Sequence, residues 1–129
     1  MYLLDENLNP NIAGALRKFG WDIRAVMEVF QREGVPDNEI IDWLGKTSAV
    51  WVTQDISAKR QYEFQLKTGR ISAVWIKQPK PGLSGWDQFK LVVRAIDRIH
   101  EKVKSSHGAV HFWLSKRGGP TVTWEAKHY

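Results

Sequence analysis

Val50-Trp51-Val52-Thr53-Gln54-Asp55 is a short apolar run that stops abruptly on a carboxylate. Bounded by polar residues, such a run reads as a core strand of a parallel sheet. In open parallel α/β sheets, ligands and chemistry gather just past the carboxyl ends of the strands. Asp55 stands at such an end, so the rest of the chain is read for what else arrives there.

Upstream, Met1 to Leu4 reads as a first strand ending at Asp5-Glu6-Asn7. Asn9 and Pro10 open a helix as N-cap and first helical residue. Ile12, Leu16 and Phe19 share its apolar face, and Gly20 stops it. A strand follows at about 21–26, residues 27–35 fit a short helix or a loop, and Asp37 is the expected N-cap of a helix ending at Gly45. Downstream of Asp55, a helix runs from about Ile56 to Lys67, closed by Gly69, and Ala73-Val74-Trp75-Ile76 is a fourth strand. Gln78-Pro79-Lys80-Pro81-Gly82 breaks the chain. Ser84 and Asp87 resemble a capping box at the head of the longest helix, about 84–104. Trp86, Phe89, Val92, Val93, Ile96, Ile99 and Val103 form its apolar stripe; Lys90, Arg94, Arg98 and Lys102 form a basic one. Two strand-like runs, Val110 to Leu114 and Thr121 to Glu125, flank a turn at Lys116-Arg117-Gly118-Gly119-Pro120.

This alternation predicts an α/β fold, a mostly parallel central sheet with helices on both faces and right-handed crossovers, plus a C-terminal strand pair. The expected organisation is one domain over 1–129, with a core at 1–106 and a strand extension at 107–129. The extension reads as an added hairpin or as a docking strand for a partner.

Composition narrows the class. The 129 residues include no Cys, which removes disulfides, thiolate metal sites and a Cys nucleophile. No secretory signal and no membrane-length apolar segment is visible, so the expected compartment is the cytoplasm, with no membrane partner. The net charge of +5 is unevenly placed. Residues 1–45 carry four basic and eight acidic side chains, whereas residues 46–129 carry fifteen and six. An acidic front and a basic back suit a protein that holds cations at a site and draws a polyanion around it. A solvated basic surface explains the same numbers.

Three acidic groups lie at matched points of the pattern: Asp5 and Glu6 after the first strand, Asp37 and Glu39 at a helix start, and Asp55 after the central strand. Carboxylates brought together repel unless a cation separates them, and an all-oxygen set suits Mg²⁺ or Mn²⁺. Each has a plainer reading. Asp37 and Asp55 make good helix caps, Glu39 a helix-start charge, and Glu6 a solvated side chain.

The ordered set Tyr2-Leu3-Leu4-Asp5-Glu6-Asn7-Leu8-Asn9-Pro10, Leu16-Arg17-Lys18-Phe19-Gly20-Trp21-Asp22, Asp37-Asn38-Glu39-Ile40-Ile41 and Val52-Thr53-Gln54-Asp55 resembles the compact PIN-like families across about residues 1–76. PIN domains are three-layer α/β/α metal-dependent ribonucleases, and many are toxins of bacterial toxin–antitoxin pairs. The resemblance implies Mg²⁺- or Mn²⁺-dependent hydrolysis of RNA, leaving a 3′ hydroxyl and a 5′ phosphate. Asp5, Asp55 and either Asp37 or Glu39 would be the metal ligands, with Glu6 as an additional candidate. Thr53 would orient a carboxylate or the local backbone. Lys59 and Arg60 would contact RNA phosphates or form a solvated helix face, and the stripe holding Arg94 and Arg98 would extend an RNA path or bind an acidic partner. A cognate antitoxin and a second copy of the chain are the implied protein partners. Relatives often carry another Asp just after the Asp55 position; here Ile56, Ser57 and Ala58 follow. That departure favours the alternative reading, a catalytically weak or inactive PIN-like module that binds RNA or protein.

Other signals point elsewhere or nowhere. Trp21, Trp51, Trp75 and Trp86 fit core packing better than base stacking. His107 and His111 supply too few ligands for zinc, and no phosphate-binding Gly-rich loop is present. A phospho-receiver also pairs acids after the first strand with an Asp after the third. It would require two strands between Asp55 and Lys77, where only one fits.

Overall fold

The computed structural model describes residues 1–127, apart from the side chain of Ile56; the last two residues of the expected 107–129 extension lie outside that range. In chain order the elements are β1 (Tyr2–Leu4), α1 (Asn11–Arg17), β2 (Ile23–Ala25), α2 (Val26–Phe30), α3 (Asp37–Thr47), β3 (Val50–Thr53), α4 (Ile56–Thr68), β4 (Ala73–Ile76), α5 (Gly85–Ser105), β5 (Val110–Ser115) and β6 (Gly118–Glu125). The strands form one sheet in the order β2-β1-β3-β4-β5-β6. Every neighbouring pair is parallel except β5 with β6. The fold is therefore α/β with a mostly parallel sheet and a C-terminal antiparallel pair.

Alternation along the strands divides the core in two. Tyr2, Leu4, Val50, Val52, Val74 and Phe112 pack with α1 and α5 on one face. Leu3, Trp51, Ala73 and Trp75 pack with α2, α3 and α4 on the other. Near-continuous apolar strands are what a sheet covered on both faces requires.

The helix faces also determine crossover hand. From β3 to β4 the chain passes over the α3 face; from β4 to β5, stepping the same way along the sheet, it passes over the α1 face. The two connections have opposite hands, so the expectation of uniformly right-handed crossovers fails at β4-α5-β5. With α4 already on the other face, α5 covers Val74 and Phe112, and the loop at 77–84 carries the chain across.

Several local expectations shift for identifiable reasons. Helix α1 starts at Asn11, although the Asn9 side chain still accepts the Asn11 N–H at 2.9 Å. It closes with Trp21 N–H to Leu16 O and Gly20 N–H to Arg17 O, with Gly20 at φ +92°. Phe19 therefore lies in the closing turn and is 83% exposed rather than buried. Pro36, not Asp37, is the N-cap of α3. Asp37 already belongs to the helix and makes no cap bond. Gly45 does not end α3, which runs to Thr47 and closes on left-handed Ser48. Helix α4 does end at Gly69, its C-cap, and the turn beyond closes with Ile71 N–H to Leu66 O and Arg70 in the left-handed position. On α5, Trp86 (66% exposed) and Val93 leave the apolar stripe because they fall at its rim.

Candidate active site

Register brings the first two carboxylates together. Leu4 pairs with Val52, and the Asp5 N–H donates to Val52 O at 2.9 Å. Asp5 thus follows β1 directly beside Thr53, the last residue of β3. The buried Thr53 hydroxyl donates to Asp5 Oδ2 at 2.6 Å. The same oxygen accepts the Asp55 N–H at 3.1 Å and the Asn7 side-chain amide at 3.3 Å. Asp5 Oδ1 accepts the Glu6 N–H at 2.8 Å. Asp55 is the N-cap of α4, its Oδ1 accepting the Ala58 N–H at 3.0 Å.

Asp5 is 7% exposed. Burial pushes its carboxyl up to about 6; the Thr53 and Glu6 hydrogen bonds oppose that, and Asp37 and Asp55 add to it. The Asp37 carboxyl is also raised, first by burial and then by Asp55 and Glu6. These mutual effects place Asp5, Asp37 and Asp55 within one electrostatic neighbourhood.

The other acids have different partners. Glu39 is engaged by Arg32, whereas the Asp37 carboxyl feels the charges of Asp55 and Glu6. Glu6 Oε2 accepts the Gly34 N–H and Oε1 the Val35 N–H, both at 3.1 Å. Glu6 therefore ties the end of β1 to the segment that delivers Asp37.

Asn7 and Gln54 carry site geometry that sequence reading passed over. The Gln54 side-chain amide donates to Asn7 O, and Asn7 Oδ1 accepts the Gln54 N–H at 3.4 Å. Together they clasp the ends of β1 and β3. The signal in the sequence was only a polar residue beside each candidate acid. Beyond them, Asn9 N–H donates to Gln88 Oε1 at 2.8 Å. A Cβ at Gly85 would lie 2.5 Å from the Asn9 side chain, so glycine lets the start of α5 approach this loop.

The basic candidates are largely engaged within the protein. Lys59 pairs with Glu63 at 3.0 Å. Arg94 and Arg98 donate to Ser115 O at 3.0 Å and Gly119 O at 2.7 Å, clamping the β5–β6 turn. Arg60 is exposed on α4. His111 is a core residue: its Nε2–H donates to Ile71 O at 2.9 Å, and Nδ1 faces the Trp75 indole N–H at 3.5 Å. Burial lowers its pKa.

Asp5, Asp37 and Asp55 offer only carboxylate oxygens, and burial, then the neighbouring carboxylates, raises the proton affinity of Asp5 and Asp37, a setting that suits a hard cation. Among the described residues, no three His, Cys, Asp or Glu side chains are gathered tightly enough to hold an ion by themselves. The set fits a cation that retains several waters and takes only one or two carboxylates directly, as Mg²⁺ does. Among the described residues no helix is long and apolar enough to cross a membrane.

A family model described as a PIN like domain matches residues 1–78, more than half of the chain and all three of these acids. No match was found among curated proteins or among solved structures.

Proposed function

The chain belongs to the PIN-like domain family, whose members in general have nuclease activity, and from that membership we propose that it is a Mg²⁺- or Mn²⁺-dependent endoribonuclease, the toxin of a toxin–antitoxin pair. The single observation that carries the reading is the buried Asp5 carboxylate, fixed by Thr53 and electrostatically coupled to Asp37 and Asp55 at the carboxyl edge of the sheet. Burying a carboxyl among like charges costs stability. Such a cost suits a site that is neutralised when it works.

Asp5, Asp55 and Asp37 would hold the cation. When bound, it lowers the pKa of water and neutralises charge on the phosphodiester. The chain's own residues supply the order. Thr53 and the Glu6 N–H fix Asp5, and Ala58 N–H fixes one oxygen of Asp55. Asp37, with its raised proton affinity, is suited to accept a proton from the attacking water. Attack at phosphorus breaks the bond to the 3′ oxygen, giving a 3′ hydroxyl and a 5′ phosphate.

A second reading, a PIN-like module that binds RNA or protein without cutting, is favoured by the absence of a tight three-ligand cluster among the described residues and by Ile56 following Asp55. One experiment separates the two. Single-stranded RNA is incubated with the protein in Mg²⁺, Mn²⁺ or EDTA, beside the Asp5→Asn variant. Cleavage that needs the cation and is lost in the variant is the expected result. RNA retained intact under all conditions would favour the second reading, and equal cleavage by Asp5→Asn would remove Asp5 from the chemistry. Growth arrest on expression, relieved by Asp5→Asn, tests the toxin role.

A further inference from the structure

The end of the family-matched segment and the chain beyond it build a second cleft. It is an open cavity of about 940 Å³ between the 77–82 loop and the β5–β6 turn, lined by Lys77, Lys80, Lys116 and Arg117. Lys77 follows β4 and Lys116 follows β5. Because both strands run parallel to β3, the cleft opens at the sheet edge that carries Asp5 and Asp55. Neighbouring strands lie about 4.8 Å apart, so β4 and β5 place it roughly 5–10 Å along that edge from the end of β3.

Two observations distinguish this cleft from an ordinary solvated face. The first is how its cations are held. Several basic groups elsewhere are occupied: Lys59 by Glu63, Lys102 by Glu125, and Arg94 and Arg98 by backbone carbonyls. Among the described residues, Lys77, Lys80 and Arg117 form no ion pair. Lys116 has only a loose one, 3.8 Å from Asp87. Four cations converge from two segments with one loose internal partner among them, which leaves a positive field for a polyanion. The second is the neighbouring aromatic surface. Trp86, adjoining Asp87 in the first turn of α5, is largely exposed; its ring lies against Phe89 with centroids 5.7 Å apart and lines the adjoining hollow with Asn9 and Ile12. A cationic groove whose Lys116 reaches Asp87, next in sequence to an exposed aromatic ring, suits single-stranded nucleic acid, with phosphates in the groove and a base farther along on the ring. An acidic protein segment would use the charge but has no call for the ring.

We propose that the Lys77, Lys80, Lys116 and Arg117 cleft holds the phosphate backbone of a single-stranded RNA whose neighbouring nucleotides reach the carboxylates, with Trp86 as a stacking ledge. This rests on the ribonuclease reading for its substrate, but binding is measured apart from turnover. The full chain is titrated in EDTA against a short unstructured fluorescent RNA, and against a polyglutamate peptide, over a range of salt. Lys80→Glu with Lys116→Glu is compared with Lys46→Glu and Lys104→Glu, an equal charge change on exposed residues near the C-termini of α3 and α5. Thermal melts check that both double variants are folded. The cleft variant is expected to bind RNA at least about tenfold more weakly and to flatten the log K against log salt slope by about 1.4. Trp86→Ala is expected to weaken binding while leaving that slope unchanged. Equal weakening by both double variants, or none by the cleft variant, would overturn the proposal. So would loss of polyglutamate binding with RNA binding intact, which would assign the cleft to an acidic protein. A protein that never cleaves RNA but binds it through the cleft defeats the ribonuclease reading alone; one that cleaves with an indifferent cleft defeats this proposal alone.

Discussion

The Thr53 hydroxyl donates to Asp5 Oδ2 at 2.6 Å while accepting the Asp55 N–H at 3.1 Å. One buried hydroxyl therefore links the Asp5 carboxylate to the backbone of Asp55. Thr53→Val keeps the shape and leaves a buried carboxylate oxygen and two donors without this partner. Stability should fall by about 1–3 kcal/mol, and Thr53→Ser should recover most of it. Chemical denaturation measures both; a neutral Thr53→Val would show that the hydroxyl does not support the site.

Asp5 gives a pH signature. Its carboxyl is raised from 3.8 to about 6 in the folded chain. Between about pH 4 and 6 the folded state keeps a proton that the unfolded state has released. This contribution to stability is therefore present below about pH 4 and lost as pH rises through about 6. Asp5→Asn has no such proton to lose. Relative to wild type, the variant should gain roughly 2–3 kcal/mol on going from pH 4 to pH 7.5. Denaturant curves for the two proteins across that range that stay parallel would contradict the burial argument.

Glu6 holds the segment in front of α3 through the Gly34 and Val35 N–H groups. Glu6→Ala should cost about 1–2 kcal/mol and speed hydrogen exchange at those two amides. Cleavage, where present, should fall as Asp37 loses its fixed approach. Unchanged exchange at Gly34 and Val35 would show that Glu6 does not anchor this segment.

Arg94 and Arg98 reach the β5–β6 turn rather than standing free. Replacing both by Ala should lower stability by about 1–2 kcal/mol and reduce RNA affinity less than the Lys80→Glu, Lys116→Glu pair does. A variant of full stability that has lost most of its RNA binding would return these arginines to the role first expected from their spacing.

Much of the fold was legible in order and type. The apolar runs at Tyr2–Leu4, Val50–Thr53 and Ala73–Ile76 became adjacent parallel strands, because a strand covered on both faces must be apolar throughout. Helix ends were less legible. Gly69 ends α4 as its residue type suggested, but Gly45 does not end α3, where left-handed Ser48 closes the last turn. Phe19 and Trp86 suggested core, yet helix length and rotation leave them outside.

The sequence by itself determined which residues carry carboxylates at strand and helix ends, and its family resemblance placed residues 1–78 among PIN-like domains. Only the tertiary structure decided which of them meet. Parallel register sets Asp5 beside Thr53. Arg32 takes Glu39, and Glu6 turns to the backbone at Gly34 and Val35. Tertiary structure also gathers the lysines after β4 and β5 at the carboxylate edge. Local spacing cannot encode these outcomes, because each depends on strands and loops far apart in the chain and on which charges burial forces into each other's field.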